Sequence, residues 1–260
     1  MAARLLHTDQ LAIGYTQNGQ THCLAAGINL RIQPGQLIAL VGQNGVGKSS
    51  LLRSLCHLQP PLSGAVYVND KNIKEFTPQT WAQAVSVVLT EKLPPSNLSV
   101  WELVALGRQP YTNWIGTLTE PDEQAIAQAI HDTQLTAIQH QKWYSLSDGQ
   151  LQKALIARAL AQETPLIILD EPTTHLDLVH KLKLLKLLKS VSQTKKKSVL
   201  FSTHDIELAL SICDELIVMT PTKVVQDRSE NLLTSGIFSE LFADPSIAFD
   251  PALKKFNFTL

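Results

Sequence analysis

The sequence predicts an α/β fold with a mostly parallel core sheet, and two observations carry this prediction. An apolar run, Leu37 to Val41, is followed by Gly42 to Ser49 in the spacing G-x-x-x-x-G-K-S and then by an amphipathic segment. A second apolar run, Leu166 to Leu169, ends in two carboxylates, Asp170 and Glu171. Strands that are apolar throughout are buried on both faces, as the strands of parallel sheets are.

The segment from Gly42 to Ser49 has the composition of a phosphate-binding loop. Glycines let the backbone take positive φ and turn its N–H groups toward an anion, and the helix that follows adds the positive end of its dipole. In this pattern Lys48 would reach the outer phosphates of a nucleotide, and the Ser49 hydroxyl would bind Mg²⁺. The candidate nucleotide-binding residues are therefore Gly42, Gln43, Asn44, Gly45, Val46, Gly47, Lys48, Ser49 and Ser50.

Two carboxylates follow the second apolar strand. Ligands of open α/β sheets bind at the carboxyl ends of the strands, so Asp170 would point at the same crevice as Lys48 and hold Mg²⁺. Glu171 alternates to another direction and could orient a water molecule; a simple strand-end turn is the structural alternative. His204 follows a further buried strand, Ser198 to Ser202; a lone histidine is usually structural, but this place in the chain favours a phosphate contact.

Composition limits the classes of protein that fit. The chain has 260 residues, 44% of them hydrophobic and 17% charged, which is enough for a large core in one or two domains. A net charge of −1 gives no reason to expect nucleic acid as a partner. No apolar run predicts a transmembrane segment, and the first residues do not predict a signal peptide. The three scattered cysteines are expected to be small buried residues in a reducing cytosol.

The rest of the chain predicts a β-rich start and a helical block. Leu5 to Tyr15 and His22 to Ile32 are typical of two strands ahead of the phosphate-binding loop. In the helical block Ser99 would cap a helix, with Glu102 at the capping-box position. We expect one domain over residues 1–260, with an ATP-binding core at 1–89 and 161–242, an inserted helical subdomain at 90–160 and an irregular tail at 243–260.

Three features have both a structural and a functional interpretation. Tyr15 could stack on an adenine ring or pack locally at the end of its strand. Ser147 and Gly149 offer a hydroxyl and free N–H groups to an anion at the start of the helix 151–161, although an ordinary N-cap is the simpler explanation. The Lys-rich helix 176–191 could touch a membrane, but a solvated face on a core-packed helix is the simpler explanation.

The order of these segments resembles the ATP-binding subunits of ABC transporters over roughly residues 4–242. Leu146 to Gln150 is similar to the signature segment that other phosphate-loop ATPases lack. The resemblance implies that Tyr15 stacks on adenine, that Glu171 is the general base or water-orienting residue, and that His204 is the switch histidine. It also implies a head-to-tail dimer around two ATP molecules, in which each chain contributes to its partner's site Ser147, Asp148, Gly149, Gln150 and Asp177.

Within that family, Leu103 to Tyr111 and the chain length resemble the ATPases of iron-siderophore, haem and vitamin B12 importers. This implies two separate transmembrane permease subunits, an indirect periplasmic or lipid-anchored substrate-binding protein, and a peripheral place at the cytoplasmic face of the inner (plasma) membrane. A soluble ABC ATPase of translation or DNA repair is the alternative, but such proteins usually carry a second cassette or a coiled-coil insertion. The signature segment and His204 argue against a kinase of another phosphate-loop family.

One segment departs from the family pattern. The family has a glutamine at the start of the helical subdomain, which contacts Mg²⁺ and relays the state of ATP to the membrane subunits. Here the corresponding stretch, Val87 to Lys92, contains no glutamine, so Thr90 or Glu91 would occupy that place. Either side chain offers oxygen to Mg²⁺ or its water, but Glu91 would add negative charge near the γ-phosphate.

Overall fold

The computed structural model describes residues 4–17, 19–89, 96–174, 176–242 and 246–258. The helices in these ranges are α1 (Lys48–Leu55), α2 (Pro78–Ala84), α3 (Val100–Ala105), α4 (Glu120–Asp132), α5 (Asp148–Ala161), α6 (Leu178–Lys195), α7 (Ile206–Ile212), α8 (Ser229–Thr234) and α9 (Ile237–Leu241). The strands are β1 (Leu6–Gln17), β2 (Gln20–Ile28), β3 (Arg31–Ile32), β4 (Leu37–Gly42), β5 (Ser63–Val68), β6 (Lys71–Asn72), β7 (Val85–Val88), β8 (Leu166–Leu169), β9 (Ser198–Thr203), β10 (Glu215–Met219), β11 (Val224–Asp227), β12 (Ile247–Asp250) and β13 (Lys255–Phe258).

The chain forms two compact units, and the first contains most of the parallel strands that the sequence predicts. This unit comprises Met1–Glu75 and Ser198–Leu260. In it β4 runs parallel to both β10 and β9, and β11 pairs antiparallel with β10. Every residue of β4 and β9 is buried, as expected for central strands of such a sheet. The register pairs Val41 with Thr203, so the segments that follow these strands begin at the same edge.

The β-rich start forms a second, antiparallel sheet in the same unit. Its central strand is β1, which pairs with β2, β3 and β5, while β6 pairs with β5. The predicted single strand over 22–32 is two strands, because Asn29 and Leu30, between β2 and β3, are not in strand conformation. The Asn29 side chain stabilises this break by accepting the Gln10 N–H at 3.0 Å and donating to the Gly27 carbonyl at 3.0 Å.

The second unit, Phe76–Lys197, joins a parallel strand pair to a cluster of helices. β7 pairs with β8 so that Val85 lies opposite Leu166. Helix α5 packs against α3, α4 and β7, which holds the strands and the helices together. The observed unit is therefore larger than the helical segment predicted at 90–160, and the boundary between an ATP-binding core and a helical subdomain stays a prediction.

Helix boundaries follow local capping. The capping box predicted for α3 is present: Glu102 N donates to Ser99 Oγ at 3.2 Å, and Ser99 N donates to the Glu102 carboxylate at 2.6 Å. These bonds from Ser99 lower the pKa of Glu102. Helix α6 starts after its N-cap Asp177 and extends a turn beyond the predicted end, to a left-handed Lys196 with φ 50°. Its leucines Leu184, Leu185 and Leu188 are buried while Lys183 and Lys186 are exposed, which agrees with a solvated basic face.

The structure corrects the expectation of an irregular tail over 243–260. β12 and β13 form an antiparallel hairpin, with Phe249 opposite Phe256 and their ring centroids 4.9 Å apart. Phe249 also lies 4.7 Å from the ring of Phe238 in α9, so the hairpin has an apolar anchor. Asp250 makes the turn by accepting the N–H groups of Ala252 and Leu253. The strands are too short for a clear two-residue period, which is why the sequence did not reveal them.

The cysteines are only partly as expected. Cys56 is buried, with 1% of its surface exposed, and Cys213 is partly buried. Cys23, in contrast, is exposed. The expectation of burial is therefore wrong for Cys23, because β2 turns most of its side chains to solvent.

Close helix packing makes Gly107 intolerant of a side chain. A Cβ there would lie 2.3 Å from the Arg158 carbonyl oxygen on α5, and that oxygen is backbone that cannot move aside. We expect Gly107→Ala to lower the free energy of unfolding by about 1–3 kcal/mol, the usual cost of overpacking. The midpoint of urea unfolding would show this loss. Gly149→Ala is the control, because its Cβ would find ordinary contacts at 3.5 and 3.8 Å, and an equal loss in both variants would contradict the argument.

Burial gives Lys197 a measurable pH signature. Its Nζ donates to the Thr164 carbonyl at 2.8 Å, and burial lowers its pKa from 10.5 to about 8. The unfolded chain therefore binds more protons than the folded chain between these values, so this group adds stability as the pH rises through that window. We expect the unfolding free energy of the wild type, relative to Lys197→Met, to increase between pH 8 and 10. For the control Lys74→Met, at an exposed lysine, the difference in unfolding free energy from the wild type should stay constant over this pH range. A constant difference for Lys197→Met would contradict the lowered pKa of Lys197.

Candidate nucleotide-binding site

The segment between β4 and α1 has the backbone that a phosphate-binding loop requires. Gly45 and Gly47 have φ of 77° and 113°, in the region that favours glycine. Gly42 is needed for a different reason, since a Cβ there would lie 2.5 Å from the Met219 carbonyl oxygen at the end of β10. A Cβ at Gly47 would lie 2.9 Å from Met219 Cε and 3.3 Å from Leu24 of β2. Neighbouring strands thus hold the loop closely on two sides.

Lys48 lies across this loop. Its side chain is buried, with 6% exposed, and its Nζ donates to the carbonyls of Gly42 at 2.9 Å and Gln43 at 3.0 Å. Ser49 and Ser50 lie in the first turn of α1, whose amides have no acceptors within the helix. This turn contains no acidic side chain that would offset the positive end of the helix dipole.

His204 and Tyr15 lie in the same unit as the loop. Val41 precedes the loop and Thr203 precedes His204, and because these two are register partners His204 emerges at the edge where the loop begins. Tyr15 is 46% exposed and stacks on His22 of β2 at 5.2 Å between ring centroids. The sequence interpretation did not predict that His22 stacks on Tyr15, although the two residues lie opposite each other in a predicted hairpin.

The candidate carboxylates follow β8 in the second unit. Asp170 is 8% exposed and its backbone N–H donates to the Val88 carbonyl at 2.8 Å. Glu171 has a φ of 48°, which is uncommon for a residue with a side chain. Its Oε2 accepts the Thr174 hydroxyl at 3.1 Å. The backbone therefore turns sharply at the end of the strand, so the two adjacent carboxylates leave it in a fixed arrangement.

The segment predicted to act on a partner's nucleotide also lies in the second unit. Ser147 is the N-cap of α5: its Oγ accepts the Gln150 N–H at 3.3 Å, and its own N–H donates to Gln150 Oε1 at 2.9 Å. This is the N-cap that the simpler interpretation predicts, yet Ser147 and Asp148 are exposed and remain accessible to a second molecule. Asp177 is likewise exposed at the N-cap of α6. Gly149 lies near it, because a Cβ built on Gly149 would come within 4 Å of the side chains of Leu176 and His180.

Two expectations lie outside the described residues. Thr90 and Glu91, the candidates for the missing glutamine, are in the stretch 90–95, and the structure does not describe them.

The sequence interpretation also missed His180, whose ring Nδ1 lies 2.8 Å from Asp177 Oδ2. The signal available for it was the spacing of three residues from an N-cap acid.

The donors assigned to Mg²⁺ fit that ion chemically. They are a hydroxyl, Ser49, and a carboxylate, Asp170, both hard oxygen ligands of the kind that Mg²⁺ prefers. Mg²⁺ takes only one or two protein ligands when nucleotide phosphates and water supply the rest. Among the residues that the structure describes, no group of three His, Cys, Asp or Glu side chains could hold a metal by itself.

Comparison with known proteins gives the class. Residues 25–174 match the family model for ABC transporters, so the chain belongs to the ABC transporter family and is one of its ATPases. It is 38% identical to an uncharacterized ABC transporter ATP-binding protein of Methanocaldococcus jannaschii, over 92% of this chain and 81% of that protein. It is 33% identical to the iron(3+)-hydroxamate import ATP-binding protein of Bacillus subtilis, over 96% of this chain and 92% of that protein.

Solved structures confirm the predicted fold class. An inward-facing metal-chelate type ABC transporter matches with a TM-score of 0.80 and 29% identity, covering 97% of this chain and 95% of that one. A dimeric ATP-binding cassette in a post-hydrolysis state with ADP and Pi matches with a TM-score of 0.74 and 25% identity, over 86% of this chain and 98% of that one. The family resemblance drawn from the sequence is therefore confirmed.

Proposed function

We propose that this chain is the ATP-hydrolysing subunit of an importer that takes up an iron chelate, haem or cobalamin through separate membrane subunits. The observation that carries the proposal is the likeness, over 97% of the chain, to a metal-chelate type ABC transporter. The relative that imports iron(3+)-hydroxamate, which covers 96% of the chain, supports the same cargo class. Within that class other subunits recognise the cargo, so the likeness of the cassette supports the class and not one of its three members.

In the proposed mechanism, the phosphate-binding loop holds the nucleotide and stabilises its charge. The N-terminus of α1 and the Lys48 ammonium face the negative charge that develops as the γ-phosphoryl group transfers. Ser49 and Asp170 would hold Mg²⁺, which when bound neutralises charge on the phosphates. Glu171 orients the attacking water and accepts its proton, and His204 contacts the γ-phosphate. Tyr15 stacks on the adenine ring.

We further propose that two copies pair head to tail. In this arrangement Ser147, Asp148, Gly149, Gln150 and Asp177 of one copy complete the nucleotide site of the other. The N-terminus of α5 supports this, because it presents free amides and a hydroxyl at an exposed surface. The dimeric cassette with ADP and Pi, to which the chain is similar, supports it independently.

The proposed place of the chain is the cytoplasmic face of the inner membrane, docked peripherally on two permease subunits. In the part of the chain that the structure describes, no helix is both long and apolar enough to cross a bilayer. A substrate-binding protein on the other side would take part indirectly, and nucleic acid would have no role. The stretch with Thr90 and Glu91 would carry the coupling to the permease that a glutamine carries in the family.

The proposal is tested by measuring ATP hydrolysis by the purified chain, alone and with any membrane subunits that are found encoded beside it. We expect slow hydrolysis alone and a clear increase with those subunits. Robust hydrolysis that is indifferent to any permease, or that nucleic acid stimulates, would instead indicate a soluble ABC ATPase.

A further inference from the structure

The carboxylate of Asp177 is fixed by a residue that the mechanism above does not use. Asp177 caps α6 by accepting the backbone N–H of His180 at 2.9 Å, and the Nδ1 of the same histidine lies 2.8 Å from Asp177 Oδ2. The backbone and ring bonds from His180 lower the pKa of Asp177. An ionised carboxylate only accepts hydrogen bonds, so Nδ1 of His180 carries the proton and donates it to this contact.

The other edge of the same imidazole faces the signature segment. A Cβ built on Gly149 would lie 3.8 Å from His180 Cδ2 and 3.5 Å from Leu176 Cδ2. The ring therefore has the Asp177 carboxylate, at the N-cap of α6, on one edge, and its other edge lies on the side of Gly149 where a side chain would project from the first turn of α5. All of these residues belong to the second compact unit.

We infer that His180 is a positioning residue that joins Asp177 and Gly149 into one preassembled half of the partner's nucleotide site. The inference rests on the proposed head-to-tail function, in which both residues face the partner's ATP. Two segments on separate helices must present their groups together to one triphosphate. A misplacement of about 1 Å in such a group can cost about 10²-fold in rate. A ring that is hydrogen-bonded to Asp177 on one edge and lies beside Gly149 on the other keeps the two segments in a fixed relative position.

The role proposed for the His180 ring differs from the capping of α6. The N-cap function of Asp177 needs only the backbone N–H of His180, which any residue at that position supplies except proline. The imidazole is therefore not required for α6 to form, and His180 is 53% exposed at its side chain, so it adds little to the core. What the ring adds is the second bond to Asp177 and a side chain that occupies the space beside Gly149.

The test compares His180→Phe, which keeps a ring beside Gly149 but removes the donor to Asp177, with the wild type. We expect kcat for ATP hydrolysis to fall about 10- to 100-fold while KM for ATP changes by less than about twofold. The midpoint of urea unfolding should not change. His131→Phe is the matched control, because His131 also lies beside an aspartate, 3.8 Å from Asp132, yet far along the chain from these segments; it should leave kcat unchanged.

A double-mutant cycle shows whether His180 acts through Asp177. We expect His180→Phe combined with Asp177→Asn to lose no more activity than Asp177→Asn alone. Additive losses, a loss of stability that matches the loss of kcat, or wild-type kcat in His180→Phe would each overturn the inference. Glu171→Gln separates this failure from failure of the proposed function: if that variant loses hydrolysis while His180→Phe does not, only the positioning role is wrong.

Discussion

Glu171→Gln is expected to bind ATP like the wild type and to turn it over about 10²–10⁴-fold more slowly, the usual contribution of a positioned acid or base. The change keeps the shape of the side chain and its capacity to accept the Thr174 hydroxyl, but removes the carboxylate that would take a proton from water. Binding depends on the phosphate-binding loop, which lies in the other compact unit and is not altered. Fluorescent-nucleotide binding and phosphate release measure the two effects separately.

The control for this variant is Glu123→Gln on α4. It makes the same change of atoms at an exposed carboxylate of the second unit and should leave both binding and turnover unchanged. Hydrolysis near the wild-type rate in Glu171→Gln would remove Glu171 from its assigned role. Loss of binding in that variant would instead show that Glu171 supports the fold of the site.

Lys48→Met is expected to weaken ATP binding by about 10- to 100-fold, which corresponds to the loss of one or two hydrogen bonds to a charged group. The methionine side chain can occupy the buried space of Lys48 but donates nothing to the Gly42 and Gln43 carbonyls or to a phosphate. Hydrolysis should fall at least as far as binding, because the same ammonium stabilises the transferring phosphoryl group. Equilibrium binding of a fluorescent ATP analogue measures the affinity.

Lys74→Met is the matched control, because it removes one positive charge from an exposed site in the same unit. It should bind ATP with wild-type affinity at physiological ionic strength, where exposed charges are screened. Unchanged affinity in Lys48→Met would contradict the assignment of the loop as the phosphate site, whereas equal losses in both variants would indicate a general electrostatic effect.

The phosphate-binding loop and the buried strands were predictable from the sequence because their signals are local. Glycines at Gly45 and Gly47 mark positive φ, and the apolar runs of β4 and β8 mark strands buried on both faces. The capping box at Ser99 is equally local. The family resemblance depends on the same short segments, which explains why it holds across the chain.

Other features were not predictable because they depend on contacts between distant segments. The hairpin of the tail is stabilised by Phe249 and Phe256 packing near Phe238, which no period in so short a stretch reveals. The requirement for glycine at Gly107 comes from the Arg158 carbonyl on another helix. The place of His180 between Asp177 and Gly149 likewise depends on residues about 30 positions apart in the chain coming together.

The measurement that most directly tests the central claim is the mass in solution of the Glu171→Gln variant with and without ATP and Mg²⁺. Slow turnover should trap the state in which two copies enclose two nucleotides. The account predicts a species of twice the 28.6 kDa chain mass with ATP and the single chain mass without it. Adding Gly149→Asp, which places a negative charge in the signature segment, should abolish the larger species while leaving nucleotide binding intact. A variant that binds ATP fully and stays at the mass of one chain would contradict the head-to-tail site.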